Sequence, residues 1–193
     1  MIIGLTGGIG SGKSTALAAL KEKGYKTVSC DEITAELYGK RKILKKLRTV
    51  FPAAISGKIF LKADKKEIAR QAFSDAQKYA FLTDFLSAAT FKIAMKRAKK
   101  AKGTVIVEVP LLLENDLAKE FDKVIVVARD KTARIKSVKA RSFLSDEQIQ
   151  NRMSKQIDYD FYDLSPYIVI KNDGDCAALA AAAINAVNSA ETI

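Results

Sequence analysis

The chain has 193 residues, 48% hydrophobic and 28% charged, which fits one soluble globular domain with room for a small insert and excludes a disordered or membrane-embedded chain. Lys and Arg number 33 against 22 Asp and Glu, a formal net charge of +11. That surplus suits polyanionic partners: nucleotides, phosphorylated cofactors or nucleic acid.

In chain order the first element is also the most informative. Met1-Ile2-Ile3-Gly4-Leu5 predicts a short apolar strand, and Ser14 to Lys23 predicts a helix. Between them the pattern G-x-x-x-x-G-K-[ST] is filled by Gly7, Gly12, Lys13 and Ser14, in the strand–loop–helix setting that gives this motif its meaning. Glycines at 7, 8, 10 and 12 let the backbone curl so that successive N–H groups point at phosphate oxygens. The helix opening at Lys13 adds its own unpaired N–H groups and its positive dipole end. Lys13 can reach the β- and γ-phosphates, and the Ser14 hydroxyl can ligate Mg²⁺. Gly8, Gly10, Ser11, Gly12, Lys13, Ser14 and Thr15 are therefore the candidate residues of a nucleoside triphosphate site.

With the first strand starting at Ile2, no signal peptide is expected, and no apolar run approaches the ~20 residues of a membrane span. Cys30 and Cys176 lack metal-ligand spacing and are expected as reduced thiols of a cytoplasmic protein. Histidine is absent, which removes imidazole catalysis and His metal sites.

Ala16, Leu17 and Leu20 continue the first helix to a stop at Gly24. Lys26 to Ser29 predicts a strand, and Ile33–Tyr38 a helix. Asp31 then falls just past the carboxyl end of a strand, the edge where parallel sheets bind ligands. Two readings of it stay open: a carboxylate that accepts a hydrogen bond from an attacking hydroxyl, or a simple helix cap. Ile43 to Phe51 and Lys65–Phe73 predict helices, with a brief apolar run at Ile59-Phe60-Leu61 between them. Tyr79, Leu82, Leu86, Ala89 and Ile93 recur at helical spacing and predict one long helix to about Lys100. Nothing over 39–102 alternates like a strand of the main sheet. A helical insert is expected there, between core segments 1–38 and 103–193, as the acceptor site of a single domain. The aromatics Phe73, Tyr79, Phe81, Phe85 and Phe91 either line that site or form its core.

Thr104–Val109 and Lys123–Ala128 are β-branched runs that read as fully buried strands. A basic helical stretch over about 129–156 carries Arg129, Arg134, Arg141 and Arg152, and suits a mobile lid that closes on triphosphate. The plainer alternative is surface arginines in i,i+4 pairs, such as Asp130 with Arg134. Tyr167–Lys171 predicts a fifth strand, Asn172-Asp173-Gly174 a turn, and Cys176–Val187 a closing helix. The sum is a three-layer α/β P-loop NTPase fold of nucleotide-kinase type, with a five-stranded parallel sheet, helical insert and lid. No Asp-x-x-Gly or Asn-Lys-x-Asp motif supports a GTPase. The basic residues are not interleaved with aromatics as a base-stacking surface would have them.

These residues together resemble one family, the dephospho-coenzyme A kinases. Thr6 to Thr15 is similar to that family's phosphate loop, and Ser29-Cys30-Asp31 stands at its Asp-Ala-Asp. Pro110-Leu111-Leu112-Leu113-Glu114 stands at its Pro-Leu-Leu-Phe-Glu. Arg134, Arg141, Ser145-Asp146-Glu147, Arg152 and Gln156 follow its lid pattern, and Asn172-Asp173-Gly174 its final Asn-x-Gly. The likeness runs from residue 2 to about 174. Ser29 and Glu108 replace aspartates of the family pattern, Thr90-Phe91 lies where a His-Pro pair is usual, and Lys65 replaces an arginine.

The resemblance implies transfer of the ATP γ-phosphoryl group to the 3′-hydroxyl of dephospho-CoA, giving coenzyme A and ADP. Lys13, Asp31 and Arg141 would be catalytic, with Arg134 and Asn172 joining the loop in binding ATP and Ser14 holding Mg²⁺. The alternative is a kinase of the same fold acting on a nucleoside monophosphate or another metabolite hydroxyl. No nucleic-acid or membrane partner is expected, and a monomer is favoured.

Overall fold

Apolar β-branched runs build the sheet, and its carboxyl edge carries the glycine loop. The computed structural model describes residues 1–142 and 145–192; Phe143 and Leu144, inside the stretch expected as a lid, and Ile193 lie outside the described residues. In chain order, β1 (Ile2–Thr6) leads through the loop to α1 (Lys13–Glu22), and β2 (Lys26–Ser29) runs straight into α2 (Cys30–Leu37). Next come α3 (Arg41–Val50), a hairpin of β3 (Ile55–Ser56) and β4 (Lys62–Ala63), α4 (Lys65–Phe73) and α5 (Ala76–Lys100). The chain ends with β5 (Val105–Glu108), β6 (Lys123–Ala128), α6 (Lys131–Arg141), α7 (Asp146–Met153), β7 (Ile168–Lys171) and α8 (Cys176–Thr192).

The chain divides into two compact units, Met1–Ser29 with Arg97–Ile193, and Cys30–Lys96. The first holds a five-stranded sheet in the order β2-β5-β1-β6-β7, parallel at every pairing. This is the expected α/β P-loop architecture. Strand order reverses about β1, so the loop that follows β1 opens at the point where such sheets bind ligands. Ile3, Leu5, Ile106, Ile125 and Val127 fill the core with Ala16 and Leu20 of α1 and Leu179, Ala183 and Val187 of α8. The alanine-rich face of α8 presents little side-chain bulk, which lets its backbone approach the sheet and α1 closely. The helix runs five residues past the expected Val187 because Ala190 is also buried in that core.

In the second unit Leu44, Leu47, Phe51, Ile55, Ile68 and Ala72 form a separate core, with Phe81 and Phe85 packed against it and stacked on each other at 5.6 Å. Those two aromatics are core. Phe73 is exposed beside Tyr79. The run Ile59-Phe60-Leu61 is the loop of the β3–β4 hairpin: Ile59 and Phe60 are exposed, and Leu61 packs against the core. Strands of two residues have no alternation to read in sequence. No helix among the described residues is long and apolar enough to cross a membrane. Cys30 is buried and Cys176 exposed, and neither is in a disulfide.

Candidate active site

The glycine loop makes the first part of the site. Gly12 caps α1 in the left-handed region at φ 106°, without any side-chain cap. A Cβ there would run into the Asn172 amide, so both backbone and neighbour demand glycine. The first N–H groups of α1 have no intrahelical acceptor, no acidic residue sits in the first turn, and an anion is the fitting partner. Lys13 is half-buried, and its Nζ donates to the Gly7 and Gly8 carbonyls at 2.6 and 3.0 Å. These two bonds fold the ammonium over the mouth of the loop.

Behind the loop, Asn172 is buried at the end of β7. Its Nδ2 donates to the Ser11 carbonyl at 2.6 Å, and its Oδ1 accepts from Gly174 N. Both ends of its amide are thus committed, and Asn172 supports the loop from the rear. Ser11 is buried with Gly8 and Gly10, while Ser14 and Thr15 are exposed in the first turn of α1.

Parallel register sets the second part. Leu5 and Ser29 both pair with Glu108, so the carboxyl ends of β1, β2 and β5 meet. Glu108 is 3% exposed. Its Oε2 accepts from Ser29 Oγ at 3.0 Å and its Oε1 from Ser14 Oγ at 3.3 Å. A buried carboxylate is tolerated only when such donors satisfy it. Here one of the donors is the hydroxyl of the phosphate motif itself.

The third part comes from α6 and the segment after α7. Asp130 caps α6 by accepting from Ala133 N at 2.9 Å, and a full capping box at Ser145 and Gln148 starts α7; both are local sequence signals. Asp130 forms no ion pair with Arg134 among the described residues, contrary to the plainer alternative. Arg134 is instead 3% exposed. A Cβ on Gly8 would collide with its Nη1, so its guanidinium lies directly on the loop. Its Nε is buried without a hydrogen-bond partner among the described residues. Burying a cation with donors unspent is costly, and an anion bound to the loop would relieve that cost. Gln156 completes the grip, its Oε1 accepting from Ile9 N at 2.8 Å.

Arg141, seven residues beyond Arg134, ends α6 on the same helical face, about 10 Å further along the axis. It is exposed, as is Arg152 on α7. The structure thus brings Arg134 to the loop and leaves Arg141 and Arg152 at the surface. In the second unit Asp31 is exposed in the first turn of α2, because the helix begins at Cys30 and not at Ile33. Thr34 Oγ1 bonds the Cys30 carbonyl and the hydroxyl of buried Thr90 on α5, each at 2.9 Å. Thr90 therefore helps hold the helix that carries Asp31.

Sequence reasoning left Glu108, Gln156 and Arg129 out of the candidate site. Arg129 Nη1 donates to the Gly10 carbonyl at 3.3 Å. Glu108 had a signal, since a lone carboxylate ending a Val-Ile-Val run must find donors. Arg129 had only its place at the start of the basic stretch.

The family model for dephospho-CoA kinase matches residues 1–178. A dephospho-CoA kinase of Chlorobium luteolum is 31% identical over 182 residues, covering 89% of this chain and 82% of the relative. One from Streptococcus pyogenes is 30% identical over 189 residues, covering 93% and 92%. A crystal structure of a Thermus thermophilus protein superposes with a TM-score of 0.81 at 29% identity, covering 98% of this chain and 96% of that one. Since the match covers residues 1–178, from the glycine loop to the start of the last helix, the chain belongs to the dephospho-CoA kinase family.

Proposed function

We propose that the chain carries out the reaction of its family, moving the γ-phosphoryl group of ATP to the 3′-hydroxyl of dephospho-CoA to give coenzyme A and ADP. The observation that carries this reading is buried Arg134 lying against the glycine loop, its Nε without a hydrogen-bond partner among the described residues, at a helix start that no side chain caps. In the reaction the acceptor oxygen bonds to the γ-phosphorus as the bond to the β,γ-bridging oxygen breaks. Lys13 exchanges its two loop carbonyls for phosphate oxygens and follows the charge onto the leaving group. Arg134 holds the triphosphate, and Arg141 is assigned to the transferring group when the lid closes. Asp31 orients the acceptor hydroxyl and receives its proton, and the insert 39–102 binds the acceptor. The protein acts as a cytoplasmic monomer in this reading.

Ser14 and Glu108 fit Mg²⁺, which prefers hard oxygen ligands and takes few from the protein. A hydroxyl and a carboxylate oxygen 3.3 Å apart can flank such an ion, and no cluster of three His, Cys, Asp or Glu ligands exists among the described residues. When bound, the ion neutralises charge on the β- and γ-phosphates. Glu108→Gln keeps the shape and removes the charge. It is expected to raise the Mg²⁺ concentration for half-maximal ATP binding about tenfold, roughly the loss of one charged contact. An unchanged Mg²⁺ titration would remove Glu108 from the site.

The acceptor is tested by ADP release from Mg-ATP with dephospho-CoA, AMP, CMP, shikimate or water alone. Turnover well above water is expected only with dephospho-CoA. Equal turnover on another acceptor would discard the acceptor assignment and leave the ATP site standing.

A further inference from the structure

Arg134 raises a question of support. It also lines a cavity of about 260 Å³ with Lys131, Gln150 and Met153, so packing alone does not fix its guanidinium, and no carboxylate pairs with it among the described residues. What it does meet is the ring of Tyr159, whose centroid lies 5.9 Å from Cζ. Tyr159 is 6% exposed, and its hydroxyl donates to Glu114 Oε1 at 3.3 Å. The same oxygen accepts from Ile157 N at 3.2 Å.

Glu114 is brought there by a strained turn. Leu111, after Pro110, sits in the left-handed region at φ 57°, a conformation that costs about 1 kcal/mol or more for such a residue. Leu112 and Leu113 then enter the core, and Glu114 faces the segment after α7. Burial, and then the Glu114 charge, push the Tyr159 phenol above its ordinary value. Its hydroxyl keeps its proton through the neutral range and remains a donor.

We infer that Tyr159 and Glu114 are positioning residues for Arg134: Glu114 anchors the phenol, and the phenol ring holds the guanidinium against the phosphate loop. This rests on the assignment of Arg134 to the triphosphate. The physical point is what an aromatic spacer leaves available. A direct Glu114–Arg134 ion pair would fix the guanidinium and spend the donors that a phosphate needs. A ring face attracts the cation through its quadrupole and consumes none of its N–H groups. Arg134 is thereby held and still open to an anion. Gln156, three residues before Tyr159, grips Ile9, so one short segment fixes both the loop and the arginine beside it.

The test is a double-mutant cycle read by calorimetric ATP binding in Mg²⁺, with kcat, KM and melting temperature recorded for each variant. Arg134→Ala is expected to weaken ATP binding more than about tenfold. Tyr159→Leu is expected to weaken it about three- to tenfold, and Tyr159→Phe less, since the ring remains. In the Arg134→Ala background Tyr159→Leu should change ATP affinity by less than about twofold. If the two losses multiply, Tyr159 acts apart from Arg134 and the inference falls while the Arg134 assignment stands. If Arg134→Ala binds ATP as tightly as wild type, that assignment falls and takes the inference with it. Should Tyr159→Leu fail to fold, Tyr159→Phe and Glu114→Gln run the same cycle with the same criterion.

Discussion

Lys13→Ala is expected to lower kcat by about 10³-fold or more, with the melting temperature unchanged to within about 2 °C. The two halves of that expectation have separate physical grounds. In the resting loop the ammonium bonds two carbonyls, Gly7 and Gly8, at a half-buried position that water reaches. Losing those bonds exposes acceptors that water satisfies, and net hydrogen bonds of this kind are worth about 1 kcal/mol. The loop itself is held by other groups, since Asn172 supports Ser11 and Gln156 supports Ile9. In the reaction nothing replaces Lys13. Phosphoryl transfer asks the protein for position and charge rather than covalent chemistry, and an ammonium that moves with the migrating charge is stabilising chiefly in the transition state. The measurement is single-turnover rate with saturating Mg-ATP and dephospho-CoA, beside a thermal melt. A rate within threefold of wild type would remove Lys13 from the chemistry. A melt lowered by many degrees would make it a structural residue of the loop.

The sheet was legible in sequence because its signals are local. Val105-Ile106-Val107 and Val124 to Val127 are β-branched runs too short for buried helices, and both are buried strands. The long helix was legible for the same reason, since Tyr79 to Ile93 keeps one period throughout and α5 spans it. What the sequence hid is whatever depends on distant partners. Asn172 and Ser11 are 161 residues apart, and Gln156 and Ile9 are 147 apart. No periodicity predicts that the one amide supports the loop and the other grips it. Arg134 shows the limit most clearly. Spacing offered it a neighbour four residues back, but Asp130 caps α6 and makes no ion pair with Arg134 among the described residues. The arginine was then free to be buried, and only the three-dimensional structure shows it against Gly8.

Asp31→Ala decides between the two readings that the sequence left open for this residue. If Asp31 orients the acceptor hydroxyl and takes its proton, kcat should fall by about 10²–10⁴, the usual contribution of a positioned base. ATP affinity should then be unchanged, because the loop, Lys13 and Arg134 all belong to the other compact unit. If it only favours the start of α2, the loss is one carboxylate at a helix N-terminus, about 0.3–1 kcal/mol. Glu32 remains in the same turn to offset part of it. That outcome appears as a melt lowered by about 1–3 °C with kcat intact. The exposure of Asp31 and its place inside the first helical turn weaken the cap reading, since a capping side chain belongs one residue before the helix and turned onto its N–H groups. Asp31→Asn sharpens the test further. It keeps a hydrogen-bond acceptor for the hydroxyl but has lost the basicity, so it should retain acceptor affinity while kcat falls nearly as far as in Asp31→Ala. Wild-type kcat in either variant would sink the catalytic assignment of Asp31.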